Sequence, residues 1–262
     1  MCSDLSFKAE NVEWVNDYLP NLVIENSTQY TIAPVLQVQA HVFPVYPIIF
    51  MQKEEPQLHF FEWGLIADYM NTAEKIKQYR TSMVNARSEK LLQDPQSVWY
   101  KLRQQRCLIP TTGFFEHRAI KGWKKKVPYH ISFANKQPFF LLGMYHYSPM
   151  PDMLTGESKG TFTLLTQSAN TLMCQIHNDG PNKHRMPVLI EPSKAIEWLN
   201  PSVDLVTLSS MLSEKIPDNS LLAYPVYTIR TNQERPDGML LTDPYQWQGL
   251  PPLGMDSLPT LF

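Results

Sequence analysis

Arg106-Cys107-Leu108-Ile109-Pro110-Thr111-Thr112-Gly113-Phe114-Phe115-Glu116-His117 is the stretch that decides the fold class. From position 107 to 117, apolar, aromatic and β-branched side chains crowd together, as in a buried, pleated strand. An acid, Glu116, stands near its end. Similar runs occupy 47–51, 58–66, 128–133, 138–147, 161–166 and 186–190. These runs, with no internal repeat, predict a curved, largely antiparallel sheet. The stretch 131–142 reads as a hairpin turning at Ala134-Asn135-Lys136-Gln137. Helices are fewer. Asp94 and Pro95 offer an N-cap and a first helical position for a segment to about Gln105, and Pro192 plays a similar part before 193–199. A third helix is expected over 168–176, with Leu172 and Ile176 on its inner face.

The 262 residues are 43% apolar and 18% charged, with 22 prolines. Such a chain can bury a full core and is neither disordered nor collagen-like. No apolar run reaches the roughly 18 residues of a membrane span. The first twenty residues lack the basic start and apolar stretch of a signal peptide, so a cytoplasmic protein without membrane contact is expected. The three cysteines, Cys2, Cys107 and Cys174, are odd in number and widely spaced, which suggests neither a disulfide framework nor a cysteine-rich metal site. A domain over 1–230 is expected, followed by a proline-rich, partly disordered extension over 231–262.

The net charge of −2 conceals an asymmetry. Residues 75–126 hold 13 Lys and Arg against 3 Asp and Glu, leaving the rest of the chain at −12. Such a block is a candidate polyanion footprint, because each cation that meets a phosphate releases counterions; the competing reading is a solvated face. Tyr79, Trp99, Tyr100, Phe114, Phe115 and Trp123 interleave with these cations, where rings could stack on bases or serve the core.

Position 2 carries the most distinctive chemistry. Once Met1 is removed, Cys2 becomes a free β-aminothiol, with reference pKa values of about 8 for the amine and about 8.5 for the thiol. An aldehyde can condense with the amine to an imine, which the sulfur then traps as a five-membered thiazolidine. Neither Ser nor Ala can do this. A cysteine standing there by accident is the competing reading.

Other residue patterns bear on that choice. Asn85-Ala86-Arg87-Ser88-Glu89 follows a basic stretch. A carboxylate among rings is costly to ionise, which makes Glu116 a candidate proton shuttle, against a glutamate that simply reaches solvent at a strand end. Downstream stand Ile176-His177-Asn178 and Lys183-His184-Arg185-Met186-Pro187. Two histidines with only Asp179 nearby make a poor metal set, so neither a metal nor any other cofactor is expected.

Together these elements resemble the SOS response-associated peptidase (SRAP) family. The resemblance rests on Met1-Cys2, Trp63-Gly64-Leu65-Ile66, the 85–89 and 106–116 segments, Pro128-Tyr129, and Ile176-His177-Asn178 with Arg185-Met186-Pro187. They stand in the family's order over roughly 1–230. It implies an α+β fold, a single domain around a curved, mainly antiparallel, partly open barrel-like sheet with a few flanking helices. It also implies covalent capture of abasic sites in single-stranded DNA by a monomer, after Met1 is removed by self-processing or by an aminopeptidase.

By that resemblance Cys2 is the nucleophile, and Asn85 holds its amino group or the sugar. Glu116 moves protons during imine formation and Met1 release. His177 protonates the sugar oxygen as the ring opens, with His184 as the alternative histidine. Arg87 and Arg185 hold phosphates, and Trp63, Tyr69 and His117 are expected to contact DNA. Pro34 or Pro44 is a candidate wedge between bases. The chain departs from the family at Ser3 and Asp4, where relatives often carry Gly and Arg, so an acid replaces a basic contact beside Cys2. Two other functions fit less of the sequence: an N-terminal-nucleophile amidohydrolase, whose glutamine-binding motifs are missing, and a non-catalytic single-strand-binding module.

Overall fold

At Thr112 the 106–117 stretch breaks into two strands, Arg106–Thr111 and Gly113–Arg118, which belong to different sheets. The computed structural model describes residues 2–25, 30–231 and 234–255. In the larger sheet Ser158–Ser168, Phe139–Pro151, Arg106–Thr111, Val45–Gln52 and Glu55–Trp63 are neighbours in that order. The last strand returns to the first through a parallel seam, Glu62 with Thr161 and Trp63 with Phe162. Five strands therefore close into a barrel, and the α+β class is as expected. Its walls are apolar because the run demands it: Phe139, Phe140, Leu141 and Leu142 are all fully buried, each stabilising the fold by about 1.5–3 kcal/mol.

The second sheet is antiparallel throughout, in the order Leu221–Pro225, Val127–Phe133, Gly113–Arg118, Asp4–Phe7, Val35–Gln39. The chain's beginning is thus an inner strand. Leu5 pairs with Phe114 and Ser6 with Gly113. The corner between the sheets is tied to the same strand, since Thr111 Oγ1 and the Thr112 N–H both donate to the Ser6 carbonyl, at 2.8 and 3.0 Å. Gly113 is required there. A Cβ would lie 2.4 Å from His130 Nε2 and 2.9 Å from the Ile131 carbonyl.

The expected hairpin at 131–142 is corrected to a corner. Its turn exists, with the Lys136 N–H donating to the Phe133 carbonyl at 2.9 Å. The strands it joins do not pair, however: Ile131 faces Phe114 in the second sheet, whereas Phe139 faces Thr111 in the barrel. Helices are shorter than expected. Ser97, rather than Asp94, caps Val98–Lys101, accepting from the Trp99 N–H at 3.2 Å. Pro192 opens a 3-10 turn, Pro192–Lys194, that leads into Ala195–Leu199. The third helix is Thr171–Ile176, capped by Asn170, and its buried residues are Met173 and Ile176 in place of Leu172.

Within the proline-rich extension, residues 234–255 pack against the rest of the chain. Trp247, Leu250 and Leu253 rest on the core. The buried Arg118 guanidinium donates to the carbonyls of Pro251 at 2.9 Å, Pro252 at 2.6 Å and also Met255. Residues 256–262 lie outside the described residues. Among the described residues no helix is long and apolar enough to cross a membrane.

Candidate active site

The start of the inner strand puts Cys2 in the interior, 1% exposed. Asn85 Nδ2 donates to the Cys2 carbonyl at 2.8 Å. Asn85 is itself held in register, because its strand Asn85–Arg87 runs parallel to Ser158–Ser168 and pairs Asn85 with Leu164. The Cys2 thiol donates to the Asp4 carbonyl at 3.7 Å. Burial, with the Glu116 carboxylate beside it, pushes the thiol well above its ordinary range, so it stays protonated at neutrality.

Glu116 and His177 meet from different elements. Glu116 projects from Gly113–Arg118, and His177 caps the C-terminal end of Thr171–Ile176. Asn178 joins the two, accepting from the Ala119 N–H at 2.8 Å and donating to the Ala119 carbonyl at 2.9 Å. Glu116 Oε2 lies 3.8 Å from His177 Nδ1, and both residues are buried. The Arg185 carbonyl accepts from His177 Nδ1 at 2.8 Å, which fixes the neutral ring as the Nδ1–H tautomer with its lone pair on Nε2. Burial is the largest influence on this imidazole and lowers its pKa below the usual histidine value, while Glu116 opposes that shift.

A cavity of about 380 Å³ opens beside this cluster, lined by Ser3, Asp4, Glu116, His117, His177 and Arg230 among others. His117 is half-buried on its wall, and burial likewise holds its imidazole below the ordinary value. A cavity of about 640 Å³ elsewhere, bordered by Pro34 and Pro44, is lined by apolar and neutral side chains only. The smaller one carries the titratable side chains.

The other expected site residues divide. Arg87 is exposed and donates to Asn182 Oδ1 at 3.1 Å, on the cavity's rim. Arg185 is already engaged by both Glu89 oxygens, at 2.5 and 2.9 Å, and by the Thr166 carbonyl at 2.6 Å. Tyr69 sits on the surface, edge-on to Tyr79 at 5.8 Å, and does not line the cavity. His184 is exposed and also outside it. Trp63 requires a correction: it is 0% exposed and has no face for a ligand. Its indole N–H donates to the Val84 carbonyl at 2.8 Å, bracing the residue before Asn85.

The basic block is not one exposed stripe. Arg106 and Arg118 are buried on carbonyl oxygens, and Arg80 is bound to Glu62 at 2.6 Å. Trp99, Phe114 and Phe115 are core residues. The sequence reading missed Arg230, whose NH2 lies 2.5 Å from Asp4 Oδ2. No motif surrounds Arg230, and 225 residues separate the pair in the chain. Among the described residues no cluster of three or more His, Cys, Asp or Glu could hold a metal.

The comparisons with known proteins assign a class to this chain, whose barrel closes at Trp63 and Phe162 and whose buried Cys2 is held by Asn85. The chain belongs to the SOS response associated peptidase (SRAP) family, whose profile matches residues 1–232. It is 33% identical over 168 residues to the abasic site processing protein YoqW of Bacillus subtilis, covering 64% of this chain and 68% of that one. It is 26% identical over 219 residues to the chicken abasic site processing protein HMCES, covering 75% and 59%. A crystal structure of a Bacteroides thetaiotaomicron protein superposes with a TM-score of 0.77 at 27% identity, over 94% of this chain and all of the other.

Proposed function

We propose that the protein processes abasic sites in DNA, capturing them on single strands through a thiazolidine formed by Cys2 once Met1 has been removed, and that it carries out this removal itself. The observation that supports the reading best is the anchoring of the Cys2 carbonyl by Asn85 beside the buried Glu116–His177 pair. The names of the relatives point to the same substrate.

The steps follow from the geometry. In Met1 release, water adds across the Met1–Cys2 amide with Glu116 as base, freeing methionine and the Cys2 amine. His177 takes the proton of the anomeric hydroxyl on Nε2 and passes it to the sugar ring oxygen as the furanose opens to the aldehyde. The adjacent Glu116 carboxylate stabilises the transient imidazolium. The amine adds to the aldehyde carbon, and loss of one water gives the imine. The thiol then adds across the C=N bond, forming C–S while its proton ends on nitrogen. Overall one water is lost and no redox partner is needed. Asn85 Oδ1, buried and with no partner among the described residues, is a ready acceptor for the new amine.

Denaturing electrophoresis of Met1-free protein with an abasic single-stranded oligonucleotide tests this. The wild type is expected to give an adduct that survives denaturant without reductant. Cys2→Ala should give none, and Cys2→Ser should be trapped only when borohydride is added to reduce the imine. Adduct formation by Cys2→Ala at the wild-type rate would sink the reading, and turnover of an amide without DNA would favour an amidohydrolase.

A further inference from the structure

Asp4 is 1% exposed, yet its carboxylate is fully engaged. Oδ1 accepts from Gln37 Nε2 at 2.8 Å, and Oδ2 accepts from Ser3 Oγ at 3.0 Å and Arg230 NH2 at 2.5 Å. The same NH2 reaches Ser3 Oγ at 2.7 Å. One nitrogen of the guanidinium is thus fixed by two groups next to Cys2, while the Arg230 side chain remains 45% exposed and lines the cavity. Lys126, the other cation lining the cavity, differs, because its single nitrogen is bound to Asp179 at 2.8 Å. A guanidinium has five N–H donors in a rigid fork, so the bond to Asp4 sets its direction and leaves Nε and NH1 for a second anion.

We propose that Arg230 binds a backbone phosphate of single-stranded DNA at the mouth of the cavity lined by Glu116 and His177, with Asp4 as its positioning residue. The acid at position 4 therefore does not strip the cleft of its cation. It draws one from the far end of the domain and aims it. The proposal rests on the reading of the cavity as a DNA site, and it assigns the phosphate contact to a residue that no motif marks.

Fluorescence anisotropy with a labelled, undamaged single-stranded oligonucleotide, measured across a salt series, tests it. Undamaged DNA cannot react with Cys2, so failure of covalent capture and failure of this proposal register separately. Each phosphate neutralised on a single strand contributes about 0.7 to the slope of log K against log salt. R230Q should flatten that slope by about 0.7 and raise Kd about fivefold at roughly 0.1 M salt. R230M, which keeps the aliphatic stem, should do the same and decides the matter if R230Q does not fold. R230K keeps the charge and should retain the wild-type slope. A merely structural brace would leave the slope unmoved. Wild-type slopes in R230Q or R230M, or an equally flattened slope in R230K, would overturn the proposal.

Discussion

Glu116 has opposing effects on the two nucleophiles of Cys2. Its carboxylate helps hold the thiol protonated, and in the proposed mechanism this delays sulfur while the same carboxylate is the base that carries protons as the imine forms. Glu116→Gln separates these effects. At fixed neutral pH the thiol should ionise more readily and be alkylated faster by iodoacetamide, whereas adduct formation on abasic DNA should slow by roughly 100-fold. Quantifying both rates on one preparation checks this, and a parallel fall in both would show that Glu116 only shapes the pocket. Cys2, Asn85, Glu116 and His177 stand out in the sequence because each sits in a short motif, and the fold brings Asn85 to the Cys2 carbonyl and Glu116 to His177. Arg230 does not stand out, since its role comes from a contact with Asp4 that only the tertiary fold creates. Trp63 was misjudged for a related reason: an indole suits a base-stacking surface and a barrel wall equally, and burial decides between them.

The corner at Thr112 and Gly113 is the element on which the site's geometry depends. It turns the chain out of the barrel and sends Glu116 toward the start of the chain. His130 packs into the space that Gly113 leaves and hydrogen-bonds Ser6 Oγ at 2.9 Å, and burial lowers its pKa to about 3. The sign for stability follows. Below the unfolded-state value of about 6.5 the unfolded chain takes up a proton that the folded chain refuses until about pH 3, so acid favours unfolding. Across that window this imidazole should remove about 1.4 kcal/mol of stability per pH unit. Urea melts from pH 7 to 4 on wild type and His130→Gln check this, and the variant should show the shallower dependence. The strand character of 107–117 was plain in the sequence, but the break at Thr112 was not, because the β-branched Thr111 and Thr112 carry the strand pattern from one apolar run to the next. The hairpin at 131–142 failed similarly: turn chemistry marks a reversal, and only partner strands elsewhere in the chain determine whether its arms pair.

At the scale of the molecule, the fold treats the residues of the basic block and of the proline-rich segment unevenly. Of the cations in 75–126, Arg106 and Arg118 are buried, each capping backbone carbonyls brought from distant parts of the chain, whereas most of the lysines are exposed. Prolines 251 and 252 look like linker material in sequence, yet their carbonyls are what the Arg118 guanidinium needs, and Trp247 is stacked on Tyr227. Truncation after residue 233 should therefore strip the Arg118 guanidinium of its carbonyl acceptors, leaving it only the Tyr129 hydroxyl, and cost about 3 kcal/mol. Thermal melting of the truncated chain beside the full one checks it, and an unchanged melting temperature would mean the segment is ornamental. The central claim concerns the other end of the chain. Incubating Met1-free protein with an abasic oligonucleotide, digesting with nuclease and protease, and weighing the N-terminal peptide tests it most directly. The expected peptide carries the sugar remnant on Cys2 with one water lost and no reductant used. A Cys2 peptide of unaltered mass after full reaction, or a remnant attached to any other residue, would contradict it.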